Sequence, residues 1–175
     1  MGGNISNMLF IWGDSHGEQL NSGFTSSLND NWEVLQVASS GCEPSVKMNA
    51  DNTIYCNKSN SYAKSAIERL KPNIVLLAQN SNHKTVELNS IATEILSYGV
   101  GHVLIVGPTP HWHPHLPYLL FKTWPNFPER LSVGLVQDSI VTDKILKQYF
   151  SNKNDISYVS LIELLCNRNG CLTSV

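Results

Sequence analysis

Strand-like and helix-like segments alternate along this chain, and that alternation constrains its fold more than any other feature. Met8–Trp12 is an unbroken apolar run of the kind a buried strand shows. Helical spacing follows over Glu18–Leu28, where Leu20, Phe24 and Leu28 fall four apart on one face. Trp32–Ala38 reads as a second strand, Asn73–Ala78 as a third, His102–Gly107 as a fourth and Ile156–Leu161 as a fifth. Helices are predicted over Tyr62–Leu70, Val86–Gly99 and Leu131–Phe150, the first closed by Pro72 and the second by Gly99. A long polar loop is expected from "SSGCEPS" through Asn60. An irregular excursion is expected where Pro108, Pro110, Pro114, Pro117, Pro125 and Pro128 crowd together. Five strands joined through helices make βαβ units, hence a mostly parallel five-stranded sheet covered on both faces.

Such sheets place their sites at the carboxyl ends of the strands. Ser15 follows the first strand, "SSGC" the second, "QNSN" the third and "PTPHWHPH" the fourth, so the unusual residues converge on one rim. The 175 residues suit one domain. A formal net charge of −2 gives no electrostatic case for nucleic acid or an anionic membrane surface. No apolar run has the length of a membrane span. No basic and apolar leader opens the sequence, and the "MGGN" start leaves room for a targeting element upstream.

Cysteine placement speaks for an oxidising compartment. Cys42 and Cys56 bracket one polar loop, and Cys166 and Cys171 bracket "NRNG", a tight turn. Two local pairs suggest the disulfides Cys42–Cys56 and Cys166–Cys171. Zinc knuckles want closer spacing, and four reduced thiols are the plainer alternative.

The stretch "FIWGDSHGEQL" carries the chemistry. A serine between a strand and a helix N-terminus sits among free backbone N–H groups at the positive end of a dipole. Those features stabilise an oxyanion, as an acyl-transferring serine requires. Gly-Asp-Ser is also ordinary turn composition, so the triplet alone decides nothing.

Its companions add to it. "GDSH" after the first strand, "SSGC" after the second and an asparagine-bearing turn after the third resemble the ordered blocks of the SGNH (GDSL-like) hydrolases. More closely, "WGDSH" with "SGCEP", the paired cysteines and the "LLCNRNGC" ending resemble the periplasmic SGNH domains fused to bacterial membrane O-acyltransferases. The resemblance implies a flavodoxin-like three-layer α/β/α sandwich, one domain over 1–175 excised from a larger membrane acyltransferase. It implies Ser15 as nucleophile, in a turn shaped by Asp14. Gly41, the Ser15 amide and an asparagine would form the oxyanion hole. Counting from Pro72 without gaps favours Asn82, and a shorter turn favours Asn80. His16 belongs to the motif without being the base, and with Trp112 it is a substrate-contact candidate. The implied activity is O-acyl, chiefly acetyl, transfer to bacterial surface polysaccharide, or ester hydrolysis on it, without cofactor or metal. The implied partners are the polysaccharide acceptor and an attached membrane domain that delivers the acyl group.

One block departs from the pattern. The family takes its base from a D-x-x-H block after the last strand, and no Asp-x-x-His occurs in these residues. Either that block lies beyond Val175, or the domain binds carbohydrate and positions acceptors without turnover. On both accounts the 175 residues are expected to turn over slowly or not at all. His111, His113 and His115 alternate, and an extended backbone would aim all three to one side, which makes a zinc-dependent hydrolase the third reading. Trp112, Tyr118, Phe121 and Trp124 offer flat faces for sugar rings, or else cover a satellite cluster under the loop.

Overall fold

The computed structural model describes residues 7–47 and 54–174. Five strands form one sheet in the order β2-β1-β3-β4-β6, with every neighbouring pair parallel. They are β1 (Asn7–Gly13), β2 (Trp32–Ala38), β3 (Ile74–Ala78), β4 (His102–Val106) and β6 (Ile156–Val159). The helices between them are α1 (Ser15–Ser27), α2 (Ile54–Leu70), α3 (Thr85–Ser97) and α5 (Gln137–Phe150).

Side chains of successive strand residues leave opposite faces of a sheet, and the apolar runs supply both faces at once. Phe10, Trp12, Val75, Leu77, Val103 and Ile105 point to one side. There they pack against α2, α3 and α5. Leu9, Ile11, Leu76 and Ala78 point to the other side and meet Leu20, Phe24 and Leu28 of α1. The fold is therefore the expected three-layer α/β/α arrangement.

Several boundaries differ from the sequence reading. Helix α1 starts at Ser15 rather than Glu18, because Asp14 caps it. Helix α2 starts at Ile54, so the segment up to Asn60 is not all loop. Positions 48–53 of that expected loop, like Met1 to Asn4 at the start and Val175 at the end, lie outside the described residues. The buried face of α2 runs Cys56, Asn60, Ala63, Ile67, a helical spacing hidden in sequence by its two non-aliphatic members.

The expected helix over Leu131–Phe150 starts only at Gln137. Gly134 at φ +78° interrupts it, and Arg130–Leu131 forms β5 instead. Strand β5 pairs antiparallel with β8 (Gly170–Leu172), which pairs with β7 (Cys166–Asn167) in a small three-stranded sheet. The proline-rich excursion contains a short helix, α4 (Leu116–Phe121). The fifth strand ends at Val159, and Ser160 then caps α6 (Leu161–Leu165), a closing turn of helix the sequence reading lacked. Both disulfides, Cys42–Cys56 and Cys166–Cys171, are present.

Candidate active site

Strand β1 delivers the chain to the rim through Gly13. A side chain there would fall on the Ala78 carbonyl oxygen and lie 3.0 Å from Gly17 Cα, so only glycine lets α1 start hard against the sheet. The next residue, Asp14, is buried and accepts two backbone hydrogen bonds. Its Oδ1 takes the His16 N–H at 2.8 Å, and its Oδ2 takes the Asn80 N–H at 2.7 Å. One carboxylate thus caps α1 and ties the turn after β3 to the turn after β1.

Ser15 is the first helical residue and is half-buried. Its hydroxyl has no hydrogen-bond partner among the described residues. Its N–H lies in the first turn, where backbone donors have no intrahelical acceptor. Gly41, at φ +71°, follows β2 with its N–H unpaired among the described residues. Above β3, the two asparagines are used differently. Asn82 gives its side-chain amide to Glu43 Oε1 at 2.8 Å, whereas the Asn80 side chain makes no such bond among the described residues. Gly41, Glu43 and Asn82 border one cleft of about 570 Å³.

His16 and His83 face the buried Asp14, and His111 lies within electrostatic reach of both rings. His16 Nδ1 lies 3.7 Å from Asp14 Oδ1, and it is buried without a hydrogen-bond partner among the described residues, as is His83 Nε2. Burial pushes His83 down to about 4, against the pull of the Asp14 carboxylate. The neighbouring His16 and His111 add to the lowering, while the Gln79 backbone resists it. His111 is itself lowered, by burial and then by His16, and its Nε2 pairs with Thr109 Oγ1 at 3.0 Å. His83 and His111 are therefore neutral rings at neutral pH.

The family model for the SGNH domain fused to AT3 domains matches residues 2–175. The chain belongs to this family. Among solved structures, the periplasmic domain of a Salmonella ser. Paratyphi A lipopolysaccharide acetyltransferase is similar over 99% of this chain and 73% of that one. The TM-score is 0.75 at 22% sequence identity, a likeness of fold. No curated protein matches the chain.

In this SGNH domain the other candidates bond to partners outside the Asp14–Asn80 pair. Trp112 is half-buried, gives its Nε1–H to the Leu131 carbonyl at 3.3 Å and bridges to Leu135, so it holds the excursion together. His113 gives its backbone N–H to the Gly134 carbonyl, and His115 precedes α4. Among the described residues no three His, Cys, Asp or Glu side chains converge as metal ligands. His102 pairs with Ser157 across β4 and β6. Tyr118, Phe121 and Trp124 are exposed. Among the described residues no helix is long and apolar enough to cross a membrane.

Two participants escaped the sequence reading. Glu43 looked like a loop residue, and Asn60 like a solvated one. Only the "GCEP" string, with its charge beside a disulfide cysteine, hinted at the first.

The lowered His83 predicts a pH dependence. Between pH 6.5, its ordinary value, and about 4, the unfolded chain takes up a proton that the folded chain refuses. Stability therefore falls as pH drops through that window. The full shift corresponds to roughly 3 kcal/mol, and partial exposure reduces the expected loss to about 2 kcal/mol. Urea titrations of parent and His83→Gln at pH 7 and pH 4.5 check this, since the variant should lose less stability than the parent.

Proposed function

We propose that this domain carries an acyl group on Ser15 and passes it to a hydroxyl of bacterial surface polysaccharide, or to water. In the forward step Ser15 Oγ attacks the acyl carbonyl, its proton passes to a base, and the donor oxygen leaves. An acceptor hydroxyl then attacks acyl-Ser15, its proton passes through the same base to the departing Ser15 oxygen, and the free serine is restored. The amides of Ser15 and Gly41 and the side chain of Asn80 face the oxyanion. Asn80 is preferred over Asn82 because its amide is uncommitted and its backbone is bound to Asp14, the residue before the nucleophile. The proposed setting is the periplasm, next to an attached membrane acyltransferase domain, in keeping with a family fused to AT3 domains.

The observation that carries this reading is the Asp14 bridge, which holds on adjacent turns a serine hydroxyl and an asparagine amide that are both unpartnered among the described residues. Against turnover by these residues alone stands the lack of any Asp-x-x-His. That favours, as second reading, a domain that binds carbohydrate without reacting.

Exposure to p-nitrophenyl acetate separates the two. The expected result is slow reporter hydrolysis that falls to the background rate in Ser15→Ala, because the serine oxygen is the attacking atom. An acetyl adduct should appear on the peptide holding Ser15. Equal rates and an unmodified Ser15 would sink acyl transfer by these residues and leave the binding reading.

A further inference from the structure

Glu43 takes part in no step of that chemistry, yet it sits where the two donor loops meet. Its Oε1 accepts from Ser81 Oγ and from Asn82 Nδ2, each at 2.8 Å. Its backbone carbonyl accepts from Asn60 Nδ2 at 3.0 Å, and Asn60 Oδ1 in turn accepts from Trp12 Nε1 at 3.0 Å. The residue before it, Cys42, is bound to Cys56 of α2 and gives its N–H to the Ser39 carbonyl. The Glu43 backbone is thus anchored to the core, and its carboxylate reaches 39 positions along the chain to the turn after β3.

Among the described residues, Glu43 makes the only side-chain hydrogen bonds that join the Gly41 loop to the turn after β3, while the Ser39–Ser59 hydroxyl pair and the Cys42–Cys56 disulfide hold the Gly41 loop to α2. Nothing lies within 4 Å of the place a Gly41 side chain would occupy, so packing does not position that glycine. Asn82 stands at φ +54°, a left-handed conformation that asparagine adopts more readily than most residues. The turn after β3 is tied to its surroundings at Asn80, whose N–H bonds to Asp14, and at Ser81 and Asn82, which bond to Glu43, and Gln79 Nε2 braces it from within through the Ser81 carbonyl at 2.6 Å. Oxyanion donors must be held to within about half an ångström to be useful.

We propose that Glu43 is a positioning residue, a clasp that fixes the Gly41 loop against the Asn80 turn and so sets the spacing of the two oxyanion donors. The role assigned to those donors rests on the acyl-transfer reading, but the clasp itself has its own readout. An acceptor oxygen is all the clasp requires, so Glu43→Gln should keep it and Glu43→Ala should lose it.

The test uses the whole chain and three proteins: parent, Glu43→Ala and Glu43→Gln. Nuclear magnetic resonance follows amide exchange at Cys42 and Asn80, both hydrogen-bonded, and the side-chain amide signal of Asn82. Glu43→Ala should speed exchange at both amides about tenfold, leave Leu76 in the core strand unchanged and move the Asn82 signal to that of a solvated asparagine. Glu43→Gln should stay near the parent. Ser15-dependent hydrolysis of p-nitrophenyl acetate should lose about tenfold in kcat in Glu43→Ala, with KM little changed and most of the rate restored by glutamine.

Unchanged exchange at both amides in Glu43→Ala would overturn the clasp, as would acceleration at only one of them. A rise in KM at constant kcat would overturn it too, by making Glu43 a substrate contact in the cleft it borders. Should Ser15→Ala leave hydrolysis untouched, the acyl-transfer reading fails, and the exchange rates still decide the clasp.

Discussion

Trp12→Ala should destabilise the protein by about 3–5 kcal/mol, the usual cost of emptying a large aromatic site in a packed core. Trp12 is 1% exposed, on the face of β1 that packs against α2 and α3. The indole does more than fill space, because its Nε1–H satisfies Asn60, which is 5% exposed. Alanine removes that donor as well as the ring, leaving a buried acceptor unpaired. Trp12→Phe separates the two effects. It keeps most of the apolar area, orphans Asn60 Oδ1 and should cost about 1–3 kcal/mol. Urea unfolding at constant slope measures both. A loss below about 1 kcal/mol in Trp12→Ala would mean that the site collapses or floods, contrary to a close-packed core. Because Asn60 also holds the Glu43 carbonyl, the Phe variant should loosen the Gly41 loop while leaving the sheet intact.

The second large effect is expected at Asp14. Removing its carboxylate in Asp14→Ala takes away a helix cap, worth about 0.5–2 kcal/mol. It also strands the Asn80 N–H, worth a further 1–3 kcal/mol, roughly. The total expected loss is about 2–5 kcal/mol, read from the urea midpoint. Asp14→Asn discriminates between the two bonds. Its carbonyl oxygen can still cap His16, but its amide then faces the Asn80 N–H, donor against donor. The asparagine variant should therefore keep α1 and loosen the turn after β3, seen as faster exchange at Asn80 than at His16. Equal behaviour at the two amides would refute the division of labour between the carboxylate oxygens.

The strands were legible because a central parallel strand is apolar on both faces, and runs such as Ile74–Ala78 have no other easy reading. The disulfides were legible because each pair closes a short local loop. The first turns of α2 were not, since Cys56 and Asn60 occupy its buried face and neither counts as apolar in a periodicity. One is buried by a covalent bond, the other by the hydrogen bonds it makes to Trp12 and Glu43. The start of α5 was misplaced for a related reason. Arg130–Leu131 pairs with a strand some forty residues away, and no local pattern announces that partner.

The candidate site divides in the same way. By itself the sequence determined the order of strands and helices, the rim to which Ser15, Gly41 and the asparagines go, and the likeness to the family. All of these follow from spacing and composition within about twenty residues. Only the tertiary structure gave Asn80 and Asn82 different hydrogen-bond partners, made Glu43 a partner of the turn after β3 and lowered His83. Each of these depends on a contact or a burial between distant segments, such as the Asp14–Asn80 bond across 66 positions. Which donor meets which acceptor across such a gap is set by how the strands lie side by side, and a one-dimensional string holds no distance between them.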